Sequence, residues 1–288
     1  MYSLFMNRHL TMDAKELKAL VSLLEDDELR PQIEERIFSM GNEVIPFLEE
    51  EWGASFDASV QERIEEIVHT LQFNLLKERL HAWKTSESDD LLKGMWLIAT
   101  YQYPDLSLEK ITRDFEQLYY EIWANFEPKA HPYDQVKTIS HTLFSKLRFK
   151  ANTAHFHSPA NSMINSVFES KRGNPIALSV IYMLVAQKLK MPVFGVNLPN
   201  FFIITYIDEA KELQFYINAF NRGLIFTKQD IDHYLGQINI NPHPRFYQPC
   251  THTDIIARVL RNLIISFEKL DEHHKADEVK QLLAIFGD

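Results

Sequence analysis

The sequence predicts an α+β protein that is mainly helical, with a small antiparallel sheet packed on one buried helix. Three observations carry this expectation. After Asn174-Pro175, the apolar residues Ile176, Val180, Ile181, Leu184, Val185 and Leu189 recur at intervals of three and four, and Leu178 and Met183 widen the stripe until it nearly encircles the helix. Residues 193–196, 201–206 and 215–217 are rich in β-branched and aromatic side chains and too short for helices, and Pro199 and Asp208-Glu209-Ala210-Lys211-Glu212 separate them as turns. Amphipathic helical patterns occupy both ends of the chain. At 288 residues, with 45% hydrophobic and 24% charged residues, the chain is long and apolar enough for one large or two moderate domains.

In the N-terminal region, Thr11 or Asp13 starts a helix with the stripe Leu17, Leu20, Val21, Leu23 and Leu24, ending in the acidic turn Glu25-Asp26-Asp27-Glu28. Pro31 opens a second helix carrying Ile33, Ile37 and Phe38, and Gly41 stops it. Asn42 caps a third over 44–52, closed by Gly53. After Asp57 a longer helix carries Val60, Ile64, Ile67, Val68, Leu71, Leu75 and Leu76. The segments Q-I-E-E-R-I-F-S-M-G and E-R-I-E-E-I-V-H-T-L recur with Ile33 and Ile64 in corresponding places, and they resemble HEAT-type helical hairpins. Fewer than three units repeat, so residues 1–85 read as a small helical module whose separate role would be contact with a partner. The polar run Ser86-Glu87-Ser88-Asp89-Asp90 is the candidate linker.

Two further amphipathic helices span 108–126 and 133–147. Trp96, Trp123, Tyr119 and Tyr120 fall at helical spacing, as core and interface aromatics do. Asn174 suits an N-cap, and Pro175 suits the first helical position because its missing N–H would have had no partner. Lys188 and Lys190 favour the other end through the helix dipole, and Pro192 forbids extension. Beyond the strands, Thr227-Lys228-Gln229-Asp230 starts a helix leading to Tyr234 and Leu235, and the prolines 242, 244 and 249 stiffen a loop. Residues 251–288 form a final helical hairpin that packs on the main domain.

Charge and composition exclude several functions. The formal charge of -10 lies in the N-terminal third: residues 1–90 hold 20 acidic and 9 basic residues. A nucleic-acid backbone would be repelled there, and no basic cluster interleaved with aromatics follows, so no nucleic-acid partner is expected. The acidic third reads as a solvated helical face. No apolar run reaches the ~20 residues of a membrane span, and the first residues lack a signal peptide's pattern, so a cytoplasmic protein is expected. Cys250 is the only cysteine, which excludes an internal disulfide and a thiolate zinc site. His155-Phe156-His157 and Asp271-Glu272-His273-His274 are the best metal candidates, but two histidines without a placed carboxylate make a weak ligand set. No glycine loop fits a phosphate. No metal and no cofactor are expected.

The order of motifs in 161–221 carries a family resemblance. N-S-M-I-N-S-V-F-E-S-K-R-G-N-P-I-A-L-S, preceded by the Y-P-D of Tyr103-Pro104-Asp105, resembles the SirB-type transglutaminase-like domain, whose motif is close to N-S-x-L-x-x-V-L-E-x-R-R-G-I-P-I-S-L-S. It covers about 91–235, and the C-terminal hairpin looks like the start of the tetratricopeptide-type tail that often follows this core. The resemblance implies a papain-like α+β core. It also implies a cysteine at a helix start, a histidine on the next strand and an aspartate on the one after, which together perform acyl chemistry. Here Ala177 stands near the helix start, where the SirB-type motif commonly has Ser or Thr and there is no thiol. Phe201 takes the histidine position of P-G-H-F, and Asn218 takes the aspartate position of D-P-F. Proton transfer, a step worth ~100- to 10,000-fold in rate, has no imidazole at Phe201.

The polar residues left around that place are Asn174, Ser179, Asn200, Asn218 and Arg222, with Tyr182 nearby. They either cap helix and strand ends or line a retained pocket for a peptide or carboxylate. The expected function is a noncatalytic binding or scaffold module for an unidentified protein or peptide partner. One alternative is a degenerate acyl-transfer enzyme or peptidase with its nucleophile relocated to Ser179 or Cys250. Another is a regulatory partner acting through its helical ends.

Overall fold

The computed structural model describes residues 14–287, so the expected helix start at Thr11 or Asp13 lies outside them. The fold is mainly helical with one small antiparallel sheet, as the sequence predicts. The chain divides into two compact units, one ending at Glu78 and the other starting at Arg79.

The first unit contains helices α1 (Ala14–Ser22), α2 (Arg30–Ser39) and α3 (Ile45–Ala54), and most of α4 (Ala58–Ser86). Leu17, Val21, Leu24, Ile33, Ile37, Val60 and Ile64 of the expected stripes interlock in its core with Leu48, whereas Leu23 of the first stripe is exposed. The acidic turn is built by Asp26, whose Oδ1 accepts from the N–H groups of Glu28 and Leu29. Two boundaries differ from expectation. Asn42 opens a single 3-10 turn rather than capping α3, which starts at Ile45 with Pro46 in its first turn, and Gly53 lies inside α3 because a glycine without left-handed backbone does not end a helix.

The second unit begins in the last turns of α4 and continues through α5 (Leu91–Thr100), α6 (Leu108–Trp123) and α7 (Pro132–Ser140). Residues 86–90 make a tight turn in which Asp90 accepts from Lys93 N at 2.9 Å, and its carbonyl accepts from the buried Trp83 indole at 2.8 Å. The helix expected over 133–147 widens into a π-type segment at His141–Lys146. Just before it, within α7, the Tyr182 hydroxyl donates to Val136 O. Next come β1 (Lys150–Ala151), α8 (Ile164–Ser170) and β2 (Arg172–Gly173); the two short strands pair in parallel, an element the sequence pattern does not announce.

Helix α9 (Pro175–Lys188) is buried on all sides, as its nearly continuous apolar surface requires. It packs on the sheet of β3 (Val193–Leu198), β4 (Phe201–Ile207), β5 (Gln214–Asn218) and β6 (Leu224–Phe226), antiparallel in that order. The β3 edge is closed by Gln187 Nε2 donating to Val193 O and Cys250 N to Gly195 O, which blocks pairing with another strand. Between β5 and β6 the backbone passes so close to α7 that a Cβ on Gly223 would lie 2.1 Å from Ser140 Oγ. Helix α10 (Lys228–Gln237) starts in a Thr227–Asp230 capping box. Finally α11 (His252–Lys269), capped by Thr251, and α12 (His273–Ala284) form the expected hairpin, and α11 packs on α5 and α9.

Candidate binding cleft at the start of helix α9

Asn174 organises the start of α9. Its Oδ1 accepts from Ala177 N at 2.9 Å and its Nδ2 donates to Ser162 Oγ at 2.7 Å, so both ends of the amide are used. Ser162 belongs to a loop tied by Asn161, whose Nδ2 donates to the carbonyls of His155 and Phe156 at 2.7 and 3.1 Å, and whose Oδ1 accepts from Asn152 Nδ2 at 2.7 Å. These bonds hold the rings of Phe156 and His157 beside the helix start. Opposite them, Pro199-Asn200 turns β3 into β4; Asn200 has φ +57°, a left-handed position that asparagine tolerates. The Tyr234 hydroxyl fixes the turn by donating to Pro199 O at 2.9 Å, and the Tyr234 and Phe201 rings meet at 6.1 Å.

Between the two loops lies a cavity of about 200 Å³. Asn174, Pro175, Asn200, Phe201, Phe202, Phe156 and His157 line it on one side; Arg258, Asn262, Ile265 and Ser266 of α11 complete it. Of the residues singled out from the sequence, the cleft therefore brings together Asn174, Asn200 and Phe201. The others stand elsewhere. Ser179 and Tyr182 are fully buried in the body of α9: the Tyr182 hydroxyl donates to Val136 O at 3.0 Å and sits 3.1 Å from Ser140 Oγ, whereas Ser179 Oγ has no hydrogen-bond partner among the described residues. Burial holds the Tyr182 phenol well above its ordinary range. Asn218 closes β5 by accepting from Asn221 N at 2.9 Å, and the exposed Arg222 donates to Ser145 Oγ at 3.1 Å. Ala177 is buried beneath the Asn174 cap. Ser179, Tyr182 and Arg222 thus stand outside the lining of this cavity, the first two in the core and the third against the π-type segment.

The α11 wall escaped sequence reasoning because no local signal links residues 258–266 to 174. The polar positions Arg258, Asn262 and Ser266 recur every four residues along one side of this amphipathic helix, and that spacing was the available clue. An imidazole does reach the cleft, from His157 rather than from β4, and among the described residues no thiol or hydroxyl is hydrogen-bonded to it. Cys250 lines a neighbouring hollow of about 540 Å³ with Asn197, Arg245 and Arg258; burial, then the Asp254 carboxylate, push its thiol up to about 12. No three His, Cys, Asp or Glu side chains converge among the described residues. The cleft can accept and donate hydrogen bonds through amides and present one cation beside aromatic rings.

Comparison with known proteins places these features. A family model described as the transglutaminase-like superfamily matches residues 109–261, from α6 into α11. A UPF0162 protein of Xylella fastidiosa (strain Temecula1 / ATCC 700964) is 29% identical over 206 residues, covering 66% of this chain and 69% of its own length. A second, from strain 9a5c, is 29% identical over 190 residues, or 62% of this chain and 64% of that protein. The F-box only protein 21 of Mus musculus is 26% identical over 151 residues, 50% of this chain but 23% of the mouse protein. The chain thus spans about two thirds of the bacterial relatives and under a quarter of the mouse one. No solved structure matches. Among the described residues, no helix is long and apolar enough to cross a membrane.

Proposed function

The chain belongs to the transglutaminase-like superfamily, and from that premise we propose that it is a noncatalytic, SirB-type member, a binding or scaffold module that holds a protein or peptide in the cleft at the start of α9. One observation carries the reading: the Phe201 ring forms the cleft wall at the place the family motif gives to an imidazole. Two more support it. Ala177 stands where the motif commonly has a hydroxyl, and Asn218 is occupied as a cap outside the cleft. A nucleophile needs an adjacent base, and neither buried Ser179 nor the high-pKa thiol of Cys250 has one at hydrogen-bond distance. The amide-lined cavity suits the hydrogen-bonding groups of a peptide.

In this reading the protein works in the cytoplasm. Residues 1–85 act as a HEAT-like contact module, 91–235 as the transglutaminase-like domain and 251–288 as a shortened tetratricopeptide-like hairpin that completes the cleft. The test uses the purified full chain. Glutamine-donor and amine pairs, peptide amides and esters give no turnover above buffer, while an immobilised random octapeptide pool retains the protein. Asn262→Trp, which fills the cavity of about 200 Å³, abolishes retention. Turnover by the wild type above buffer would overturn the noncatalytic reading, its loss in Cys250→Ser or Ser179→Ala identifying the nucleophile, and retention unaffected by Asn262→Trp would remove the cleft.

A further inference from the structure

Arg258 stands on the wall of two hollows, the cleft beside Asn174 and the larger one beside Asn197 and Arg245. It is half-buried. Among the described residues it makes a single hydrogen bond, from Nη1 to the neutral Asn197 Oδ1 at 3.3 Å, and no carboxylate lies within ion-pair distance. The one carboxylate on the wall of the larger hollow, Asp254, is engaged by Thr251, accepting from its N at 2.9 Å and its Oγ1 at 2.6 Å. Burial, then the like charge of Arg261, oppose the Arg258 cation.

That arrangement is costly for an isolated protein. A guanidinium has five N–H donors and keeps its charge, so among the described residues its charge lacks a carboxylate partner and four of its donors lack a protein acceptor. A carboxylate laid against two of those donors would answer both deficits, because the planar fork matches its two oxygens. In the cleft beside Asn174, Arg258 is the single Lys or Arg of the lining and matches one negative charge. Asn197, Asn200 and Asn262 carry groups that both donate and accept, as the peptide bonds flanking such a carboxylate require.

We infer that Arg258 is the anion-recognising residue of the cleft, and that the ligand is a peptide-like chain presenting a carboxylate to it, from its C-terminus or from an aspartate or glutamate side chain. The inference rests on the cleft being a binding site and adds the chemistry of its ligand.

Four immobilised octapeptide pools test it with the full chain. One is amidated and free of Asp and Glu, one is amidated with a single Glu, one has a free C-terminal carboxylate and no Asp or Glu, and one is amidated with a single phosphoserine. At least one carboxylate pool should retain the wild type about tenfold or more above the neutral pool, and which of the two does so identifies the source. Arg258→Gln should erase the preference and Arg258→Lys keep part of it. The melting temperature of Arg258→Gln should equal or exceed that of the wild type, since an uncompensated charge is removed, whereas a purely structural arginine would lower it. The inference falls on equal retention of neutral and carboxylate pools, preference for phosphoserine alone, a preference unchanged in Arg258→Gln, or a lowered melting temperature in that variant. If retention is equal but still abolished by Asn262→Trp, the cleft survives and only its carboxylate chemistry falls. Retention of no pool overturns both readings.

Discussion

Asn174 donates to Ser162 Oγ at 2.7 Å while accepting from Ala177 N at 2.9 Å, so one side chain fastens the loop of the cleft to the first turn of its buried helix. Removing it breaks a helix cap and leaves a buried hydroxyl short of a partner. Asn174→Ala is expected to destabilise the protein by about 1–3 kcal/mol, read as a shift of the denaturant midpoint. Asn174→Ser, which keeps an oxygen for the cap, should cost less, and equal costs would show that the cap contributes nothing.

Gly223 joins β5 to β6 with φ +78°, and a Cβ there would meet Ser140 Oγ at 2.1 Å and Ser140 Cβ at 2.6 Å. Both the left-handed backbone and the overlap penalise a side chain. Gly223→Ala should cost roughly 2–4 kcal/mol, and adding Ser140→Gly should recover part of it. Thermal melts of the single and double variants decide the matter.

Ser179 Oγ is fully buried and makes no hydrogen bond among the described residues. A hydroxyl in that state costs free energy rather than supplying it, so Ser179→Ala should leave stability unchanged or raise it by up to about 1 kcal/mol. A fluorophosphonate probe should fail to label the wild type. Labelling that disappears in Ser179→Ala would instead identify a working nucleophile.

Burial raises several groups that are neutral at physiological pH. The Cys250 thiol moves from 9.0 to about 12, the Tyr216 phenol from 10.0 to about 12, and the Tyr182 phenol is raised as well. Each folded-state value lies above its unfolded one, so the unfolded chain loses these protons first. The stability they supply is complete below about pH 9 and falls as pH climbs toward 12. Denaturant midpoints between pH 8 and 11 should therefore decline from about pH 9, and an upward trend would contradict the assignment. At pH 8 a thiol reagent should modify native Cys250 on the order of a hundredfold more slowly than the unfolded chain.

The elements of the fold were readable wherever a rule acts over a few residues. Asn174-Pro175 marks a helix start because a cap and a missing N–H are satisfied within one turn, and Thr227–Asp230 does the same for α10. The encircling apolar surface of α9 announces burial on every side. The π-type segment was not legible, because the apolar spacing over 133–147 does not distinguish it from a continuous α-helix. Gly53 misled for a related reason: a glycine ends a helix only where the backbone turns left-handed, and composition does not reveal φ.

By itself the sequence determined most of the helix starts and stops and three of the four strands of the main sheet. Tertiary structure alone decided which polar residues share a cavity. It turned Ser179 and Tyr182 into the core, spent Asn218 and Arg222 on a strand end and the π-type segment, and brought Arg258 and Asn262 from a helix more than 80 residues beyond Asn174. The physical reason is range: capping and periodicity act between near neighbours, whereas a cleft is the space left where distant elements pack.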